Sequence, residues 1–192
     1  MMRPVARFQD HEGDKVVLLD RDGVINHERT DYVRRVEQFR LIHGSQRAIR
    51  LLTQYGYQIH IVSNQSAVGR GLMTQEQLDD ITRYMTGRIE RVRGRIESVT
   101  YCTHTPDDDC ACRKPKTGMI DALVEKYAFS PDRAWLVGDA LTDIAAGNAA
   151  GCRTILIARE LPPTKLHAGD HAVPDFITTD LHTAVTSIIL RT

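Results

Sequence analysis

Cys102, His104, Cys110 and Cys112 lie within eleven positions, in the pattern C-x-H-x5-C-x-C, and Arg113-Lys114 follows at once. Three thiolates and one imidazole make a closed tetrahedral donor set for Zn²⁺. Cys102 and His104 stand two apart at the end of an apolar run, so in a strand both point to one side. Cys110 and Cys112 repeat that spacing after the acidic, turn-prone stretch TPDDD. A closed set leaves no open position for substrate, so the expected role of the zinc is structural. The loop from 103 to 118 has little apolar content to hold it rigid. A metal clip would fix the loop and with it the direction of Arg113 and Lys114, and preorganised cations cost less to position during a reaction. The plain alternative is three free thiols beside an unrelated histidine. Cys152, after a glycine, reads as an ordinary buried thiol.

A second set of residues is acidic. One apolar run ends in Asp20-Arg21-Asp22-Gly23, another in Ser63-Asn64, and a third in Gly138-Asp139 with Asp143 four residues on. In an open parallel sheet the ligand crevice lies beyond the carboxyl ends of the strands. Asp20, Asp22, Ser63, Lys114, Asp139 and Asp143 should therefore face one crevice. Carboxylates gathered at one point repel each other unless a hard cation neutralises them, and oxygen donors select Mg²⁺. A cation and one lysine can offset the charge of a phosphoryl group while a carboxylate attacks phosphorus. A carboxylate two residues later can protonate the leaving oxygen and then activate water. Asp20 and Asp22 have that spacing, and Gly23 lets the chain turn after them. Taken singly, D-x-D-G reads equally well as a calcium or turn pattern. The convergence of four elements on one edge is what favours chemistry.

The elements that must position these groups alternate along the chain. Apolar runs at 16–20, 59–64, 98–104, 134–139, 154–158 and, more weakly, 176–180 read as strands, continuous enough to be buried on both faces. Helical patterns lie between them at 44–55, 75–92, 118–128, 141–150 and 181–190. Thr74 with Gln77 makes a capping box, Gly56 and Gly151 follow helix ends, and Asp180 precedes the last helix. The expected fold is α/β: a Rossmann-like, doubly wound parallel sheet in a single domain over 1–192, with a core of about 14–190, a zinc loop at 102–112 and little or no cap. Residues 159–175, rich in proline and polar side chains, read as a long loop.

The whole chain sets further bounds. It has 192 residues, 25 basic and 25 acidic, so nothing favours a nucleic-acid groove or an acidic membrane surface. The apolar runs are too short to span a bilayer, and the first fifteen residues lack an apolar signal core. Clustered cysteines point to metal binding in a reducing compartment, so a cytoplasmic location is expected. The interleaved acids and bases of the 75–92 helix read as a solvated face.

The motifs DRDGV (20–24), Ser63, Lys114 and GDALTD (138–143) resemble those of haloacid dehalogenase superfamily phosphatases, over about residues 16 to 158. The resemblance implies Mg²⁺-dependent phosphoryl transfer, with Asp20 as nucleophile and Asp22 as general acid and base. It implies that Ser63 and Lys114 hold the phosphoryl oxygens. Mg²⁺ would sit on Asp20, the Asp22 carbonyl and Asp139, with Asp143 behind, orienting a metal-bound water or Lys114. The zinc clip and CRKP stretch are similar to two groups of small-capped members. One removes the 7-phosphate of a heptose 1,7-bisphosphate in lipopolysaccharide precursor synthesis; the other hydrolyses histidinol phosphate. SNQSAVGRG (63–71) and DYV (31–33) favour the heptose group, whereas Ala140 stands where that group commonly has lysine. Segment 26–33 is expected at the site mouth. Glu28, Asp31, Asn64, Gln65, Ser66, Arg70 and Arg113 are the candidate contacts to a small sugar phosphate, and a monomer is expected. A catalytically silent scaffold or a zinc interaction module is the competing class; neither gives Asp20, Asp22, Asp139 and Lys114 a purpose.

Overall fold

Six strands and five main helices alternate in the computed structural model, which describes residues 15–159 and 172–192. The strands are β1 (Val16–Leu19), β2 (Gln58–Asn64), β3 (Ser98–Cys102), β4 (Ala134–Gly138), β5 (Arg153–Ile157) and β6 (Phe176–Thr178). They form one parallel sheet in the order β3-β2-β1-β4-β5-β6. Parallel neighbours need crossovers, and the helices supply them: α1 (Ser45–Gln54), α2 (Gln75–Glu90), α3 (Gly118–Tyr127), α4 (Leu141–Ala150) and α5 (Leu181–Ser187).

The strand period of two divides the apolar residues between two faces. Val17, Leu19, Ile59, Ile61, Trp135 and Val137 pack with α1, α2 and α5. Val16, Leu18, Val62, Ala134 and Leu136 pack on the other side with Met119, Ile120 and Leu123 of α3. The central strands β1 and β4 are buried throughout, which is why they carry no alternation. The edges differ from the expectation of burial on both faces. β3 is half-buried except at Cys102, and Phe176 and Ile177 of β6 are exposed, because each has a strand on one side only.

Local signals set the helix ends. Thr74 accepts from the Gln77 amide while the Gln77 side chain accepts from the Thr74 amide, closing the capping box of α2. α2 stops at Glu90 rather than 92, where Arg93 takes a positive φ of 63°. The last helix ends at Ser187 and continues as a 3₁₀ turn over Ile189–Arg191. Of the loop read at 159–175, residues 160–171 lie outside the described residues, as do residues 1–14, on which the reading of the N-terminus falls. Among the described residues no helix is long and apolar enough to cross a membrane.

Candidate active site

Register does the first work of assembly. Leu19 pairs with Ile61 on one side and Val137 on the other, so the residues that follow these strands emerge side by side. The Asp20 amide donates to the Val137 carbonyl at 2.9 Å, which extends the ladder by one residue and fixes the Asp20 side chain at the sheet edge. Lys114 arrives from the loop after β3. Its Nζ donates to Asp20 Oδ1 at 2.7 Å, Asp143 Oδ1 at 2.5 Å and the Val62 carbonyl at 2.7 Å. All three N–H groups of this ammonium are thus engaged, although Lys114 is only 2% exposed. Burial works against its charge, but Asp143 and Asp20 outweigh burial and hold it protonated well above the usual lysine range.

The carboxylates carry the opposite strain. Burial pushes Asp20 up to about 6, against the pull of Lys114 and with a further push from Asp143. Asp139 rises to about 8, first through burial, then through Asp20, Asp143 and Glu28. Carboxyl oxygens of Asp20, Asp139 and Asp143 lie within 4.8 Å of one another. Such a cluster resists ionising unaided, and a divalent cation would relieve it, so the donor set fits Mg²⁺. Gly23, at φ 81°, brings its backbone against the Asp139 carboxylate; a Cβ there would overlap that group.

Asp22 is held by three side-chain donors. Arg21 Nη2 reaches Oδ2 at 2.7 Å, Gln65 Nε2 reaches the same oxygen at 2.8 Å, and Asn26 Nδ2 reaches Oδ1 at 2.7 Å. Gln65 Nε2 also donates to Ser63 Oγ at 3.1 Å, which ties the end of β2 to the turn after β1. Asn64 does something the sequence did not suggest. Its amide nitrogen donates to the Lys114 carbonyl at 3.0 Å and its oxygen accepts from the Lys114 amide at 3.1 Å. That pair of bonds locks the backbone from which Lys114 reaches the site.

These groups line an open cavity of about 340 Å³. Asp20, Asp22, Glu28, Ser63, Asn64, Gln65, Lys114, Asp139 and Asp143 are all in its wall, as is the 28–33 segment through Thr30, Tyr32 and Val33. Asp31, Ser66, Arg70 and Arg113 are not in the wall. Asp31 pairs with Arg29 at 2.9 Å and Arg34 at 3.7 Å; Arg113 donates to the His104 carbonyl at 3.3 Å. Arg21 and Thr142 were not singled out by the sequence, and Asn26 only as the first residue of the 26–33 segment expected at the site mouth. Thr142, in the first turn of α4, could have been found three residues after Asp139; Arg21 and Asn26 gave no local signal beyond their nearness to Asp22.

The cysteine loop starts where β3 ends. Cys102 is buried, and its carbonyl accepts from the Gln65 amide at 2.7 Å. The sulfur–sulfur distances are 3.6 Å (Cys102–Cys110) and 3.5 Å (Cys110–Cys112), and His104 Nδ1 lies 3.7 Å and 3.3 Å from the Cys102 and Cys112 sulfurs. Zinc–sulfur bonds of about 2.3 Å in a tetrahedron imply sulfur–sulfur edges of about 3.8 Å, so the donors fit one Zn²⁺. All four cysteines are free thiols, and burial with the neighbouring cysteines pushes Cys102 up to about 12.

An all-parallel sheet with a buried lysine and an acidic cluster beyond its carboxyl ends defines a class: hydrolases of the haloacid dehalogenase type. The family model described as HAD-hydrolase-like matches residues 111–184. A D-glycero-β-D-manno-heptose-1,7-bisphosphate 7-phosphatase of Neisseria meningitidis is 36% identical over 161 residues, covering 84% of this chain and 86% of its own. The enzyme of that name from Pseudomonas putida is 35% identical over 143 residues, covering 74% and 82%. A crystal structure of the D,D-heptose 1,7-bisphosphate phosphatase from B. bronchiseptica, complexed with magnesium and phosphate, superposes with a TM-score of 0.84 at 30% identity, over 93% of this chain and 99% of that one. The chain belongs to the HAD-like hydrolase family, among its phosphatases.

Proposed function

We propose that this protein removes the 7-phosphate of D-glycero-β-D-manno-heptose 1,7-bisphosphate through an aspartyl-phosphate, with Mg²⁺ as catalytic cation. The observation that carries the reaction type is the buried Asp20–Lys114–Asp143 array at the floor of an open polar cavity. The sugar rests on the relatives, which at 31–36% identity share that enzyme's name. In this reading an Asp20 oxygen attacks phosphorus. The bond to the sugar oxygen breaks, and that oxygen keeps the electron pair and takes the proton held by Asp22. Water then attacks the aspartyl-phosphate and gives its proton to Asp22; the bond to Asp20 breaks and its pair returns to the carboxylate. Ser63 and Lys114 hold the phosphoryl oxygens, and Asp143 orients Lys114. Mg²⁺, held by Asp20, the Asp22 carbonyl and Asp139, supplies positive charge against the phosphoryl oxygens. Glu28 and Gln65 are the sugar contacts, while Asn64 serves as the buttress of Lys114.

The rest of the reading follows from the same residues. Zn²⁺ on Cys102, His104, Cys110 and Cys112 is structural. The chain forms one domain, acts as a monomer, and works in the cytoplasm on a lipopolysaccharide precursor; free thiols fit a reducing compartment. Phosphate release in the presence of Mg²⁺ tests the substrate. kcat/KM for the heptose bisphosphate is expected to exceed that for histidinol phosphate about a hundredfold. The reverse preference would move the protein to histidinol phosphate, and turnover of neither would remove the sugar from the reading.

A further inference from the structure

The DRDG stretch holds a charged group that the reaction above does not use. Arg21 is 0% exposed. Its Nη2 meets Asp22, and its guanidinium carbon lies 5.7 Å from the centre of the Tyr101 ring, on edge strand β3. Nε and Nη1 have no hydrogen-bond partner among the described residues. A buried guanidinium with one carboxylate partner and orphaned N–H groups is a poor device for stability. An apolar side chain of similar length would fill the space at lower cost. Besides its contact with Tyr101, the group that this guanidinium meets is Asp22.

At Asp22 the donors are unequally shared. Oδ2 takes both Arg21 and Gln65, whereas Oδ1 takes Asn26 alone. A carboxylate oxygen accepts two bonds with ease, so Oδ2 is filled and Oδ1 keeps one position. Asp22 is in the cavity wall, its side chain 22% exposed. We propose that Arg21 is a positioning residue: with Gln65 it pins Oδ2, and so presents Oδ1 to the oxygen that leaves and the water that enters. This rests on the aspartyl-phosphate reading given above. Remove the guanidinium, and Oδ2 keeps only the neutral Gln65 amide, so the carboxyl is free to turn.

The test compares two esters with different needs. A sugar phosphate expels an alkoxide and requires the Asp22 proton; p-nitrophenyl phosphate expels a stable phenolate and does not. kcat/KM covers the chain of steps up to loss of that group. For Arg21→Met we expect kcat/KM on the sugar phosphate to fall about a hundredfold, and on p-nitrophenyl phosphate less than about threefold. Arg21→Lys keeps the charge without the planar fork and should recover part of the loss, to about tenfold. In an Asp22→Asn background, adding Arg21→Met should change the sugar-phosphate rate less than about twofold, because the group it positions is gone. Equal losses on both esters, or an additive double variant, would overturn the proposal. Should Arg21→Met fail to fold, the same ratio is read on Arg21→Lys, where equal losses on the two esters would overturn it as well. Asp20→Asn in the same assay keeps the two ideas apart. Turnover surviving that change removes the aspartyl-phosphate reading, whereas its loss leaves the Arg21 ratio to decide.

Discussion

Lys114 joins two like charges, the Asp20 and Asp143 carboxylates, that would repel each other without it. Its ammonium is shared by Asp20, Asp143 and the Val62 carbonyl, each within 2.7 Å. Taking it away leaves two buried carboxylates and a buried carbonyl without that donor. Breaking a buried pair in this way typically costs about 3–5 kcal/mol. Lys114→Met is therefore expected to lower stability by about 3 kcal/mol in Mg²⁺-free buffer and to cut turnover by about 10²–10³-fold. A urea midpoint and phosphate release read the two effects; a variant as stable and as active as the parent would contradict this. Asp20→Asn should behave differently. It removes a charge that burial already disfavours. The fold should keep its melting temperature within a few degrees while turnover falls by at least about 10³-fold. Activity retained at more than about a tenth of the parent would exclude Asp20 as the nucleophile.

At the scale of elements, the loop after β3 is the one with a job larger than its size. It carries the cysteines, then Lys114, and Asn64 at the end of β2 grips the Lys114 backbone from the other side. Metal at one end and Asn64 at the other would hold the lysine between two fixed points. Cys110→Ser is expected to abolish bound zinc, measured by atomic emission, and to lower kcat/KM about tenfold together with the melting temperature. Full activity in a zinc-free variant would separate the clip from the site. These elements were legible to different degrees. The start of α2 and the end of α4 could be read because their signals, Thr74 with Gln77 and Gly151, are local. The acidic cluster could be read because parallel strands all deliver their last residues to one edge. The Gln65 bond to Asp22 and the Asn64 grip could not. They join residues 43 and 50 positions apart, and no local spacing encodes such a meeting. The edge strands misled for a related reason, since an apolar run looks the same whether it has one neighbour or two.

For the molecule as a whole, the sheet separates a charged upper edge from an apolar body, and that body holds a histidine. His60, in the middle of β2, is fully buried. Its Nδ1 meets Ser98 Oγ at 2.8 Å, its ring centre lies 4.5 Å from that of Tyr127 and 6.2 Å from that of Phe129, and Nε2 has no partner among the described residues. Burial lowers its pKa from 6.5 to about 4; Glu97 pulls upward and Lys126 downward, and neither reverses the effect. A depressed histidine is neutral in the folded state but takes a proton once unfolded. Its contribution to stability is present above pH 6.5 and is lost as pH falls towards 4, because the unfolded chain binds the extra proton first. A shift of this size is worth at most about 3 kcal/mol. The raised carboxyls at the sheet edge have the opposite sign, so the parent's curve alone would mix the two. His60→Gln removes the titration and keeps a polar partner for Ser98. The difference in unfolding free energy between parent and variant should therefore shift by about 2–3 kcal/mol against the parent between pH 7 and pH 4.5. Urea titrations of both proteins across that range measure it. A difference that stays constant with pH would mean that His60 is protonated inside the fold, and that the orphaned Nε2 has found a partner.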